Sequence, residues 1–320
     1  MRVARAGVVG AGTMGAAIAE LLAFNGVDVV LKDQDQALVD RGLARVRAVV
    51  DELVGFHEGR AAREIARVTD LGITLTEAQL QTVRQRLAPK VSRERGEEIV
   101  GRVRGTLDYR DFGDVDLVVE AVFENAAAKR PVLEALDTVV PDGAVIASNT
   151  SSLSITRLAH GLRHVRETLV LHFFNPPYTL PLVEVAGGVE TREDVVSDAI
   201  DYLQTLRNHR YPMVPVRVKE SPAFVVNRLL IPVLNEACFA LEEGLANSRD
   251  IDTAMKAGAG MPMGPFELAD LIGLDVALEV AETLRRETGD PKYRPALTLK
   301  RLVDAGRLGK KTGHGFYEYV

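Results

Sequence analysis

The chain has 320 residues, more than one small domain needs and about right for two. Apolar residues make up 47% and charged residues 26%, the balance of a globular protein rather than a disordered one. The net charge of −6 argues against a nucleic-acid coat, and the single cysteine, Cys238, excludes an internal disulfide and thiolate-rich metal sites.

No run approaches the roughly 18 uncharged apolar residues of a membrane helix. The first residues go straight into a strand-like run, without a long apolar core ahead of a small-residue cleavage site. The expectation is therefore a cytoplasmic protein with no nucleic-acid or membrane partner and no resident metal.

Residues 6–10 form a short apolar run ending in glycine. Met14, Ala17, Ile18, Leu21 and Leu22 follow at helical spacing, with Gly26 as a stop. Val27 to Leu31 reads as a second strand ending at Lys32-Asp33. Strand, helix and strand in so short a space make the βαβ unit of a parallel sheet. From about Asp35 to Arg104 the chain becomes rich in Arg, Glu, Ala and Leu, which predicts a helical insertion over about 45–105, with Thr76 as a helix cap. Within 57–104, Lys and Arg outnumber Asp and Glu ten to seven. That is either a solvated helical face or a surface that attracts a phosphorylated ligand.

Strands are then expected at 116–122, 144–148, 169–174, 182–185 and 213–218, with helices at 129–140 and 193–206. Apolar strands alternating with helices imply a sheet covered on both faces. After Ser221-Pro222 the strand pattern stops. A helix over 224–243, with Pro232 as a kink and Gly244 as its stop, leads into further helices to about 287, the next capped by Ser248. The expected fold is α/β: a Rossmann-type doubly wound sheet over 1–218, then an all-helical domain over 219–320.

Gly10-Ala11-Gly12-Thr13-Met14-Gly15 lies between the first strand and the first helix, where a dinucleotide fingerprint must lie. Gly10 permits a tight turn, Gly12 lets backbone approach a pyrophosphate at the helix N-terminus, and Gly15 allows close helix–strand packing. Asp33, eighteen residues past Gly15, ends the second strand, where a carboxylate accepts hydrogen bonds from ribose hydroxyls and repels a 2′-phosphate. NAD is thus expected over NADP, although Lys32 and Gln34 flank the carboxylate. FAD competes for the same fingerprint, but further flavin contacts are not found. A glycine turn without a ligand is the bland alternative.

His172 ends an apolar strand, and ligands of open α/β sheets bind beyond such ends. Glu184, flanked by aliphatics, should be buried and so needs a partner. If the two strands are neighbours, the pair suits general acid–base work. Otherwise His172 is a core histidine satisfied by backbone and Glu184 an unrelated edge residue. Ser151 and Asn175 also follow strands, as positioning groups or as ordinary loop residues. Asn227 opens the second domain, either reaching across a cleft or exposed on its helix.

These residues together resemble the L-3-hydroxyacyl-CoA dehydrogenase family, which includes 3-hydroxybutyryl-CoA dehydrogenases. The resemblance spans nearly the whole chain. It rests on Gly10 to Gly15, Glu120-Ala121-Val122-Phe123-Glu124-Asn125, Ala147 to Ser152, His172-Phe173-Phe174-Asn175-Pro176, Leu182 to Val185 and Val226-Asn227-Arg228. Gly264-Pro265-Phe266-Glu267-Leu268, Gly309 to Gly313 and Gly315-Phe316-Tyr317 complete it.

The resemblance implies NAD-dependent, reversible oxidation of an L-3-hydroxyacyl-CoA to the 3-oxoacyl-CoA, in fatty-acid or butanoate metabolism and β-oxidation. It makes His172 the general base and Glu184 its partner, with Ser151 and Asn227 orienting substrate and supporting catalysis. Asn175, Glu124, Lys129 and Lys311 contact the cofactor side alongside Asp33, and Asn175 also serves the substrate. A homodimer formed largely by the helical domain is implied as well. Three departures stand out, one being a helical segment around 57–104 longer than the family usually has. The family often has Gly where this chain has Ala223, before Phe224. Pro177-Tyr178-Thr179-Leu180-Pro181 resembles relatives acting on free hydroxy acids, such as L-gulonate or carnitine dehydrogenases, although those commonly lack the double Phe kept here. A small free 3-hydroxy acid is therefore the alternative substrate.

Overall fold

The structure, a computed structural model, describes residues 1–319. It divides into two compact units, one of Met1–Thr150 with Ile155–Arg217, the other of Ser151–Ser154 with Val218–Val320.

In the first unit β1 (Arg5–Val9), α1 (Thr13–Phe24) and β2 (Asp28–Lys32) form the opening βαβ unit. The helices α2 (Gln36–Glu58), α3 (Arg60–Asp70), α4 (Glu77–Arg86) and α5 (Arg93–Gly101) lead to β3 (Val103–Thr106). Thr76 caps α4 in a reciprocal capping box with Gln79. Neither α3 nor α4 buries a residue. Then come β4 (Leu117–Glu120), α6 (Ala126–Val139), β5 (Val145–Ser148), α7 (Ile155–Ala159), β6 (Thr168–Phe173), β7 (Leu182–Gly187), α8 (Glu193–Thr205) and β8 (Val214–Arg217).

The eight strands are ordered β3-β2-β1-β4-β5-β6-β7-β8. All neighbours are parallel except β6 and β7. Every residue of β4, β5 and β6 is buried. Since alternate side chains point to opposite faces, both faces of the central sheet are covered.

Two expectations need correction, and one strand pair departs from the parallel pattern. The stretch 45–105 is not all helical, because β3 occupies 103–106. Its four residues include Arg104 and Gly105 at the sheet edge, too short and too polar for an alternation to emerge. The pair β6–β7 is antiparallel, because an eight-residue connection without a helix cannot carry a parallel crossover. In the second unit Asn247, not Ser248, is the cap, its Oδ1 accepting from the Asp250 N–H at 3.0 Å.

That second unit is helical: α9 (Val226–Glu242), α10 (Ser248–Ala259), α11 (Pro265–Ile272), α12 (Leu274–Thr288) and α13 (Leu297–Asp304). The helix α9 continues through Pro232. It starts two residues later than expected because Ala223 and Phe224 have φ of +63° and +46°, the left-handed region. An L-residue there costs roughly 1–2 kcal/mol, which gives the family's frequent glycine its physical reason. Asp252 and Asp270 are buried and tie backbone and tyrosines together: Asp252 accepts from the Phe266 and Glu267 N–H groups, and Asp270 from those of Phe316 and Tyr317.

Strand β8 closes one edge of the sheet. Pro215 lies in its middle, and Val214 and Val216 are exposed. No helix among the described residues is long and apolar enough to cross a membrane.

Candidate active site

Strand order reverses between β1 and β4: from β1 the chain first builds outward through β2 and β3, then returns to the other side. The carboxyl ends of strands at such a switch point are where open α/β sheets bind ligands. Gly10 sits there with φ +101°, and a Cβ on it would lie 2.5 Å from the Ala121 carbonyl oxygen at the end of β4. A Cβ on Gly15 would overlap the Gly10 carbonyl. By contrast, a Cβ on Gly12 would meet nothing within 4 Å, and the first turn of α1, with Thr13 and Met14, carries no acidic side chain. The loop therefore leaves room and unopposed N–H dipoles for a pyrophosphate.

Asp33 stands at the end of β2 and organises this loop. Its Oδ2 accepts from the Ala11 N–H and its Oδ1 from the Gln34 N–H, both at 2.7 Å. Each carboxylate oxygen keeps a second lone pair for a ribose hydroxyl. Lys32 does not present itself to a 2′-phosphate: it is buried, with its ammonium 4.1 Å from the centre of the Tyr109 ring. Burial holds that ammonium below its ordinary range, with Asp33 and Asp108 pulling the other way. These features fit NAD.

Next to the glycine loop lies a buried polar network. Glu120, the last residue of β4, is fully buried, and Lys129 on α6 is 1% exposed. The Lys129 ammonium donates to Glu120 Oε1 at 2.9 Å and to the Val122 carbonyl at 3.1 Å, and Glu124 Oε2 lies 3.3 Å away. Glu120 also accepts from the Val122 N–H at 2.7 Å and the Ser148 hydroxyl at 2.6 Å, while Thr150 donates to Glu124 at 2.6 Å. One cation thus pins the ends of β4 and β5 and the start of α6.

His172 and Glu184 are directly opposite each other on β6 and β7. His172 Nδ1 lies 2.8 Å from Glu184 Oε2, and the two residues are 6% and 1% exposed. The Phe174 ring packs at 4.6 Å from the imidazole. Asn149 Oδ1 accepts from the Phe173 N–H at 2.9 Å, holding the end of β6 to the end of β5. A carboxylate on Nδ1 fixes the tautomer that leaves Nε2 as the basic nitrogen and stabilises the imidazolium once formed. This geometry replaces the reading of an isolated core histidine.

His172, Glu184, Asp33, Glu124, Lys129 and the glycine loop all belong to the first unit; Asn175 follows β6 and is exposed. Ser151, Asn227 and Lys311 belong to the second unit. Asn227 is in the first turn of α9, and Lys311 donates to both carboxylate oxygens of Asp275 at 2.6 Å. Glu120, Ser148 and Asn149 carried no assigned role in the sequence reading. For Glu120 a signal was present: it ends the apolar run Leu117-Val118-Val119, so its carboxylate needed a buried partner by the same reasoning that singled out Glu184.

Two family models match the chain: the 3-hydroxyacyl-CoA dehydrogenase NAD binding domain over residues 5–221 and the 3-hydroxyacyl-CoA dehydrogenase C-terminal domain over 224–319. A probable 3-hydroxybutyryl-CoA dehydrogenase of Deinococcus radiodurans is 39% identical over 98% of this chain and 99% of its own length. The 3-hydroxybutyryl-CoA dehydrogenase of Clostridioides difficile is 38% identical over 98% of each. Among solved structures, the (S)-3-hydroxybutyryl-CoA dehydrogenase PaaH1 of Ralstonia eutropha matches over 100% of both chains with 38% identity and a TM-score of 0.79. The FadB2 structure of M. tuberculosis does so with 36% identity and a TM-score of 0.83.

Proposed function

The chain belongs to the 3-hydroxyacyl-CoA dehydrogenase family, and from that premise we propose that it catalyses the reversible NAD-dependent oxidation of an L-3-hydroxyacyl-CoA to the 3-oxoacyl-CoA. The observation that carries this reading is the buried His172–Glu184 pair at the carboxyl end of β6. Bound NAD supplies the acceptor for the hydrogen that leaves C3 with its bonding electron pair. His172 takes the hydroxyl proton at Nε2, and Glu184 carries the balancing charge at Nδ1. In the reverse direction His172 returns the proton to the carbonyl oxygen. A positioned base of this kind contributes about 10²–10⁴-fold.

The glycine loop Gly10–Gly15 and Asp33 hold the dinucleotide, with Glu124, Lys129, Asn175 and Lys311 supporting it. Ser151, Asn175 and Asn227 orient the substrate. Lys129 serves from within the buried network, fixing Glu124 and the Val122 carbonyl rather than reaching out as an independent cation. The helices α3 and α4 bury nothing and carry Arg60, Arg63, Arg67, Arg84 and Arg86, which supports a role in attracting CoA phosphates.

The test is a substrate panel. NADH oxidation with acetoacetyl-CoA at neutral pH is the expected result; turnover of free acetoacetate alone would move the assignment to free hydroxy acids. His172→Ala is expected to lose about 10²–10⁴-fold in kcat while NADH still binds, and unchanged turnover would remove the base from His172.

The same proposal includes a cytoplasmic homodimer joined through the helical unit. Leu229 and Val233 support it, being 66% and 42% exposed one turn apart on α9, an apolar stripe that a second helix can cover. Light scattering at the mass of one chain would refute the dimer.

A further inference from the structure

Glu20 lies on α1, the helix that begins at the glycine loop, and is fully buried. An aliphatic residue would pack there at no polar cost. The carboxylate instead meets His209, with Oε1 at 2.8 Å from the imidazole Nε2, while its buried Oε2 has no hydrogen-bond partner. A half-satisfied charge inside a core is expensive, and nothing in the acid–base site or the nucleotide loop uses it.

His209 belongs to the turn 206–213 between α8 and β8. On one side this turn is bonded to α1. Besides the Glu20 contact, Asn25 Nδ2 donates to the Arg207 carbonyl at 2.8 Å, and the Arg207 N–H donates to Asn25 Oδ1 at 3.0 Å. On the other side it is bonded to the loop that runs from His172 to Glu184. The His209 N–H donates to the Tyr178 carbonyl at 3.1 Å, and the buried Asn208 donates from Nδ2 to the Pro177 carbonyl at 3.3 Å. The His209 ring stacks on Tyr178 at 5.4 Å and packs against Phe24 of α1 at 5.1 Å. Asn208 Oδ1 accepts from the Arg210 and Tyr211 N–H groups, which makes the turn rigid.

We propose that His209, anchored by Glu20, is a positioning residue: through Tyr178 and Pro177 it registers the β6–β7 loop, with Phe174 and Asn175, against the helix that carries the dinucleotide loop. The strands β6 and β7 fix the backbones of His172 and Glu184 by their own ladder. Within the loop between them the Thr179 and Leu180 N–H groups donate to the Pro176 carbonyl, and at its far end the Val214 N–H of β8 donates to the Pro181 carbonyl at 2.8 Å. Its middle, Pro177 and Tyr178, is held from outside by the turn 206–213. Phe174 packs on the His172 ring, so displacing the loop disturbs the imidazole without touching the nucleotide loop. A misplacement of about 1 Å at a reacting group can cost about 10²-fold in rate.

The proposal rests on the reading of His172 as the base, and its test separates the two. Wild type, His209→Ala, His209→Gln and Tyr178→Leu are compared by steady-state kinetics with acetoacetyl-CoA and NADH, and by hydrogen exchange of peptides covering 174–181. His209→Ala should lower kcat about 10- to 100-fold, keep KM for NADH within about threefold, and speed exchange in 174–181 about tenfold or more. His209→Gln, which keeps a donor toward Glu20, should restore kcat to within about threefold of wild type.

Should His209→Ala fail to fold, Tyr178→Leu decides the matter, since it removes the stacking ring and leaves α1 intact. Faster exchange confined to 174–181, with a lower kcat, supports the proposal. Unchanged exchange there overturns it, and so does a uniform rise across the chain with KM for NADH rising in step. The exchange arm needs no substrate. Absent turnover in wild type would therefore overturn the dehydrogenase reading, while exchange still decides whether His209 places the loop.

Discussion

Replacing Lys129 with methionine tests the network beside the glycine loop. The substitution keeps the aliphatic stem and removes the ammonium. Glu120 then retains the Val122 N–H and the Ser148 hydroxyl, but its charge sits fully buried with no cation. Breaking a buried ion pair from one side costs about 3–5 kcal/mol. For a domain of roughly this size 1 kcal/mol moves Tm by about 2–4 °C, so Lys129→Met should lower it by about 6–20 °C. Glu120→Gln in the same chain removes the stranded charge and keeps an oxygen for the Val122 N–H. The double variant should therefore recover more than half of the loss, which makes the coupling more than about 1.5 kcal/mol. The chain contains no tryptophan, so unfolding is followed by far-UV circular dichroism, with NADH fluorescence reporting binding. A loss below about 1 kcal/mol for Lys129→Met, or a double variant equal to the sum of the two singles, would refute the reasoning.

Glu184→Gln exchanges a charge-assisted hydrogen bond to His172 for a neutral one, a loss of about 1–2 kcal/mol, and should lower kcat about 5- to 30-fold with KM for NADH unchanged. Steady-state kinetics check it, and an equal loss in NADH affinity would contradict the assignment. Asp137 is partly buried, which pushes its carboxyl up, but the N–H groups of Arg163 and His164 and the His164 ring more than offset this and hold it below its ordinary range. A depressed folded value stabilises above the unfolded one and is lost as pH falls through it. Asp137→Asn should thus lower Tm at pH 7, with the gap to wild type closing below about pH 4. Burial pushes the Cys238 thiol up to about 12, so at pH 8 a disulfide reagent should label it only in denaturant; rapid labelling of the native protein would contradict that burial.

Legibility in the sequence followed the strength of local patterns. The βαβ opening was readable because a glycine loop, an apolar helix and an apolar strand all pointed the same way. Strand β3 was not, since Val103-Arg104-Gly105-Thr106 becomes a strand only by pairing with β2. His172 and Glu184 were named from burial logic, but whether they meet depends on the register of β6 and β7, which spacing alone left open. Applied to β4, that logic would have found Glu120. It would not have found the link from Glu20 to His209, because the two lie 189 positions apart and no local period connects them. Ala223 departs from the family's usual glycine, and only its φ of +63° shows what that departure costs.

Strand β8 bears on how the protein behaves when crowded. A sheet edge is a template on which another chain can crystallise as an added strand, and the exposed Val214 and Val216 make this edge sticky. Pro215 between them has no N–H to offer, so a newcomer finds a gap in the row of donors where its pairing would have to nucleate. The sheet therefore ends at eight strands. At this end of the eight-stranded sheet, one imino acid in the last strand disfavours edge-to-edge addition.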